Sequence, residues 1–122
     1  MISVLSNIQD DICNYADAIS GITGTDVEII DESLMRIAGT GKYRHMLNEN
    51  VAKNGYIYRH VLQVRETVLI KNPGEHPLCQ LCEKHHYCSE MLDLNAPIFL
   101  NNRVIGVIGI ICSTQAQRDT LL

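Results

Sequence analysis

The chain carries no lysine or arginine before Arg36, no apolar run long enough to cross a bilayer and no low-complexity tract. Each absence excludes something. A signal peptide needs a basic start, and Met1-Ile-Ser-Val-Leu5 is followed by the acids Asp10 and Asp11 instead. The longest apolar run, Val104 to Cys112, falls far short of the ~20 residues of a spanning helix. With 46% hydrophobic residues and no biased tract, disorder is not expected. A net charge of −4 without a basic stripe argues against direct contact with nucleic acid. The expectation is one cytoplasmic domain of 122 residues with no membrane association.

Catalytic signatures are also missing. There is no nucleophile elbow, no Ser–His–Asp motif, no His-Glu-x-x-His and no phosphate-binding glycine loop. Gly39-Thr-Gly41 is too short to cradle a phosphate. The chain therefore does not read as an enzyme.

What the chain does have is thiols. Cys79, Cys82 and Cys88 stand in C-x2-C-x5-C spacing, and Cys112 ends a separate apolar segment. Five cysteines cannot all pair, and cytosolic thiols stay reduced, which favours metal over disulfide. A C-x2-C hook sets two thiolates on one metal because the turn aims backbone N–H groups at the sulfurs. Four soft ligands suit an iron–sulfur cluster or zinc. The fourth ligand is open between Cys112, His85, His86 and Cys13, with Cys112 first because the strand's end should face the loop. One hook with a lone third cysteine favours iron–sulfur, 4Fe-4S above all, over zinc, whose hooks usually come in pairs. Lys84, His85, His86, Lys71 or Arg103 could offset the cluster's charge. A thioredoxin-like dithiol lacks its long following helix here.

The pattern along the chain divides into an amphipathic helix over 1–22, a sensory domain over 23–114 and the start of a helix over 115–122. Met1, Leu5, Ile8, Ile12, Tyr15, Ile19 and Ile22 step by four and three, the seam of a docking helix. The spacing predicts either a helix laid on its own domain or a contact with a second copy. Asp26–Asp31 and Leu34–Ala38 read as strands around a Glu32-Ser33 turn, Lys42–Lys53 as a helix, and Tyr56–Val64 and Thr67–Ile70 as strands. Asp26, Glu28 and Asp31 read as a solvated strand face. A short helix is predicted over Glu83–Leu92. Ala96–Leu100 and Arg103–Cys112 form a hairpin across Asn101-Asn102, with Gly106 and Gly109 implying close approach of neighbouring backbone, a bend or a bulge. Thr114-x-x-Gln117 is a capping box, and the helix it opens stops after barely two turns, as in a fragment of a longer protein. The fold class is α+β: one antiparallel sheet of five to six strands, helices on one face, preceded by an N-terminal dimerisation helix.

Asp26-Val-Glu-Ile-Ile-Asp31, Arg36-Ile-Ala-Gly-Thr-Gly41, Gly55-Tyr-Ile-Tyr58, Asn72-Pro-Gly74, the cysteine run, Ala96-Pro-Ile98 and Val104 to Cys112 follow one another in an order that resembles a PAS/GAF-type sensory domain. The resemblance is to the cysteine-rich variant at the N-terminus of sigma-54-dependent transcriptional activators, and runs from about Ile12 to Leu122. It implies a PAS-like fold, a homodimer through the N-terminal helix, and output through the C-terminal helix to covalently linked AAA+ and helix-turn-helix modules. In its cluster-binding members Cys79, Cys82, Cys88 and Cys112 would hold the iron, giving a redox or oxygen sensor. The alternative is a small-molecule-binding module whose pocket is lined by Tyr43, Met46, Tyr56, Tyr58 and Phe99, with the cysteines as a structural zinc site.

Overall fold

The sheet begins where the sequence predicts it. In a computed structural model that describes residues 2–82 and 88–122, β1 spans Asp26–Asp31 and β2 Arg36–Gly39. β3 (Val68–Ile70), β4 (Leu92–Leu100) and β5 (Arg103–Cys112) complete five antiparallel strands in the order β2-β1-β5-β4-β3. The apolar β5 sits in the centre, between β1 and β4, because its Val and Ile side chains need cover on both faces. Asn101 and Asn102 turn the β4–β5 hairpin with φ of 51° and 68°, the left-handed pair that a two-residue turn requires.

Helices cover both faces. On one side α1 (Val4–Asn7) and α2 (Gln9–Thr23) lie across β1 and β2, where Leu5, Ile12 and Ala16 bury against Val27, Ile29, Ile37 and Ile105. Burying an Ile side chain completely is worth roughly 1.5–3 kcal/mol, so this face holds the helix to its own domain. The predicted heptad seam is thus split between two roles. Leu5, Ile12 and Ile19 turn inward, while Ile8, Tyr15 and Ile22 remain 42%, 58% and 84% exposed. Met1 lies outside the described residues. The sequence placed the covering helices on one face, with the N-terminal helix as a separate element; that helix covers the second face.

The other face carries α3 (Tyr56–Val64), whose Val61 buries with Ile30, Leu34 and Val107. Residues 56–64 were expected to be a strand, since Tyr, Ile and Val favour one. The helical spacing of Ile57, Tyr58, Val61 and Leu62, all packed into this cluster, overrides that preference. The helix expected over 42–53 is also replaced. Two 3-10 turns, Gly41–His45 and Ala52–Asn54, flank an irregular segment. Its backbone pairs with β2 instead, as Arg36 N donates to Glu49 O and Asn48 N to Arg36 O. The helix expected over 83–92 falls partly outside the described residues, and Leu92 belongs to β4.

Both strand glycines mark close approach. The β4–β5 register shifts beside Gly106, between Ile98 and Phe99. A methyl group on Gly106 would strike the Ile30 carbonyl oxygen and the Leu5 side chain. One on Gly109 would lie 2.9 Å from the Tyr58 hydroxyl and 3.1 Å from Asn95 Oδ1. β5 ends at Cys112, and Thr114 caps α4 (Gln115–Leu121) through the predicted capping box.

Candidate functional site

Between the sheet, the segment that follows β2, α3 and the cysteine segment lies a cavity of about 640 Å³. Its floor is polar, which is unusual for the centre of a sheet. Strand alternation puts Glu28 of β1 and Asp93 and Asn95 of β4 on this floor, around Gly109. Arg36 of β2 donates from Nε to Glu28 Oε2 at 2.9 Å and from a terminal nitrogen to the Met46 carbonyl at 3.0 Å. Tyr58 of α3 donates to the other carboxylate oxygen of Glu28 at 2.5 Å. Glu28 is 3% exposed, so this is a buried ion pair with every carboxylate oxygen engaged, the condition under which such a pair is tolerated. The expectation of a solvated face at Asp26, Glu28 and Asp31 is corrected here for Glu28, while Asp26 at the start of the strand is half-buried. Asp31 is buried too, accepting from Ser3 Oγ, Ser33 N and Met35 N, and so builds the β1–β2 turn.

Titration follows burial. Desolvation and the neighbouring Glu28 hold the Tyr58 hydroxyl well above the usual phenol range. Tyr43, with the Arg36 guanidinium 5.5 Å and the Lys42 ammonium 5.2 Å from its ring centre, is also pushed up, chiefly by burial. Burial, then a hydrogen bond with Glu90 and that residue's charge, push Asp93 up to about 10, so it keeps its proton at neutral pH. Asp93 Oδ1 and Asn95 Nδ2 are buried and find no hydrogen-bond partner among the described residues.

The cysteines are partly gathered. Cys82 and Cys88 line the cavity. Cys79 is buried in a 3-10 turn, Pro77–Cys79, and feels the charge of Cys82, while Cys88 feels that of Cys79. Burial raises both Cys79 and Cys88, opposed by backbone hydrogen bonds with Gly74 and Glu90 respectively. Cys79 thus lies within electrostatic reach of both Cys82 and Cys88. Cys112 does not face it. Ile111 lines the cavity, so alternation turns the next residue, Cys112, to the opposite face beside Leu92, where it is fully buried. Cys13 is on α2, across the sheet from the cavity, with its thiol donating to the Ile37 carbonyl at 3.6 Å. His85 and His86 lie outside the described residues. Among the described residues, no three Cys, His, Asp or Glu side chains come together closely enough to hold a metal ion.

Of the expected pocket aromatics and methionine, Tyr43, Met46 and Tyr58 do line the cavity. Tyr56 and Phe99 do not: the Tyr56 ring lies under the Arg59 guanidinium, 5.4 Å away, and Phe99 is half-exposed near the end of β4, under Arg65. The sequence reading missed Arg36, Asp93 and Asn95. Its β4 began at Ala96, and the alternation Leu92-Asp-Leu-Asn95 that would have shown a polar inner face lay just before it.

No protein-family model matches the chain. A protein of Escherichia coli K12 named as a uric acid sigma-54-dependent transcriptional regulator, UacR, is 35% identical over 117 residues, which is 96% of the chain but 20% of that protein. The chain thus spans about a fifth of its curated relative. A GAF domain of nlh2 from A. aeolicus superposes with a TM-score of 0.66 at 18% identity, covering 93% of this chain and 73% of that one. The GAF domain of a phosphoenolpyruvate-protein phosphotransferase from Coxiella burnetii reaches 0.71 at 10% identity, covering 93% and 74%. The fold is that of GAF domains. It also serves a free methionine-R-sulfoxide reductase of Thermoplasma acidophilum, with a TM-score of 0.68, 12% identity and coverage of 97% and 86%, so the fold alone does not decide between binding and catalysis.

Proposed function

We infer that the chain is the sensory domain of a sigma-54-dependent transcriptional regulator, and that its signal is a small polar molecule held in the cavity. One observation carries this reading: the preformed cavity of about 640 Å³ has a floor of buried, hydrogen-bonding side chains where a plain core would have apolar ones. The relative's name ties that protein to uric acid, which makes uric acid the first probe for this one. Binding would act on β5, which floors the cavity and leads to α4, and so on whatever modules α4 serves. The unpartnered stripe of Ile8, Tyr15 and Ile22 suits a second copy of the chain, and a homodimer through α2 belongs to this reading.

The test is a thermal-shift and calorimetric screen of the isolated chain, followed by reporter transcription with a full-length regulator that carries it. Saturable binding that also changes transcription is expected. Transcription unaffected by any ligand that fills the cavity would overturn the sensory reading.

A second reading rests on the mutual electrostatic reach of Cys79, Cys82 and Cys88. On it, the loop closes on an iron–sulfur cluster, or on zinc, with Cys112 joining only if the end of β5 turns over. Iron, sulfide and zinc analysis of protein prepared without oxygen separates the two. Stoichiometric iron and sulfide, lost on Cys79→Ala, would favour the cluster.

A further inference from the structure

We propose that Asp93 and Asn95 are the recognition pair of the cavity, and that its ligand is a small planar heterocycle presenting a lactam edge, an N–H beside a C=O. This rests on the small-molecule reading above.

The two residues stand two apart on β4, so they share one face at a spacing of about 7 Å. Both line the cavity, at 3% and 2% exposure, and each presents one unpartnered polar atom among the described residues. Buried polar groups in folded proteins are almost always paired, so two orphans side by side in a cavity point to a partner that arrives from outside.

Their chemistry specifies that partner. Asp93 is hydrogen-bonded with Glu90 while its Oδ1 stays open, free to accept from a ligand N–H. Asn95 Nδ2 is a donor. The complement is a donor next to an acceptor in one plane, which is what a lactam offers. Other ligand classes fit worse. A cationic amine would satisfy the acidic pair but set a donor against Asn95 Nδ2. A free carboxylate would meet Glu90 and Asp93 at this pair; of the cavity's cations, Arg36 is engaged by Glu28 and the Met46 carbonyl, and Lys42 and Lys53 come from the segment after β2, not from the β4 floor. The rings of Tyr43 and Tyr58 line the same cavity and supply flat apolar surface for a heterocycle.

The experiment is calorimetric titration of the full chain with hypoxanthine and xanthine, against purine, which has the same rings without the oxo groups, and agmatine as the cation. The lactam probes should bind at least tenfold tighter than purine and agmatine. Asn95→Leu should cut lactam affinity tenfold or more. Asn95→Asp, close in shape, should lose the lactams and gain agmatine, provided its melting curve shows an intact fold. Equal affinity for purine and hypoxanthine, or unchanged affinity in Asn95→Leu, overturns the recognition pair while leaving the cavity a small-molecule site. If no probe binds, the lactam class is overturned. Native mass spectrometry of protein taken from cells then decides the broader reading, which another bound metabolite would keep and a ligand-free chain would remove.

Discussion

Tyr58 of α3 reaches across the space left by Gly109 of β5 and donates to Glu28 of β1 at 2.5 Å. This bond ties the helix on one face to the centre of the sheet, and it needs Gly109, because a side chain there would occupy the hydroxyl's place. Tyr58→Phe keeps the ring and removes the donor, leaving a buried carboxylate oxygen unpaired. Urea denaturation should show a loss of about 1–3 kcal/mol. A variant as stable as the parent would mean that water or a loop residue already serves Glu28.

Arg36 should matter more. Arg36→Met strands the Glu28 charge in the cavity floor, where removing one partner of a buried pair costs about 3–5 kcal/mol. Adding Glu28→Gln to that variant should recover part of the loss, since the stranded charge is gone. A double variant less stable than Arg36→Met alone would show that Glu28 contributes through Tyr58 rather than through Arg36.

Asp93 predicts how stability depends on pH. Its unfolded carboxyl gives up its proton near pH ~3.9, whereas the folded one keeps it to about 10. Between these values the folded state binds one more proton than the unfolded state, so stability falls as pH rises, by up to about 1.4 kcal/mol per pH unit. Below the lower value Asp93 contributes no slope. Denaturation midpoints taken from pH 5 to 8 should decline in the parent and decline less in Asp93→Asn. Parallel curves would show that Asp93 is ionised in the folded protein.

The two sides of α2 can be separated by truncation. Ile12→Ala, in the core against β1 and β2, should cost about 2–5 kcal/mol of stability. Ile22→Ala, at 84% exposure, should leave the melting of the monomer nearly unchanged and weaken self-association in analytical ultracentrifugation. An Ile22→Ala chain that associates like the parent would remove the stripe as the dimer contact.

Thiol chemistry should follow burial. In metal-free protein, Cys82 and Cys88, both half-buried beside the cavity, should alkylate well before Cys112, which is fully buried. Peptide mass spectrometry over a time course gives the order. Early modification of Cys112 would mean that the end of β5 opens, as a cluster with Cys112 for its fourth ligand requires.

Local signals carried most of the strand plan. Asp26–Asp31 and Arg103–Cys112 are the strands predicted from Val and Ile content, and the Asn101-Asn102 turn and the Thr114 capping box needed no long-range information. Residues 56–64 misled because aromatic and β-branched residues suit strands locally, while the decisive term was Val61 meeting Ile30 and Val107 from distant strands. The site was harder to read. The cysteine spacing stands out in the sequence, but which face Cys112 takes depends on its register with Leu92. Glu28 looked like a surface acid because its partners, Arg36 and Tyr58, come from a different strand and from a helix.

Ile111 touches the cavity, and Thr114, three residues on, holds the first turn of α4 through its own hydroxyl and the side chain of Gln117. No slack loop separates the two. On the sensory reading, an occupant that tilted the inner strand would tilt the helix with it, as a crank turns its shaft, and inserting a few glycines after Cys112 would uncouple the two while leaving the grip on the occupant intact.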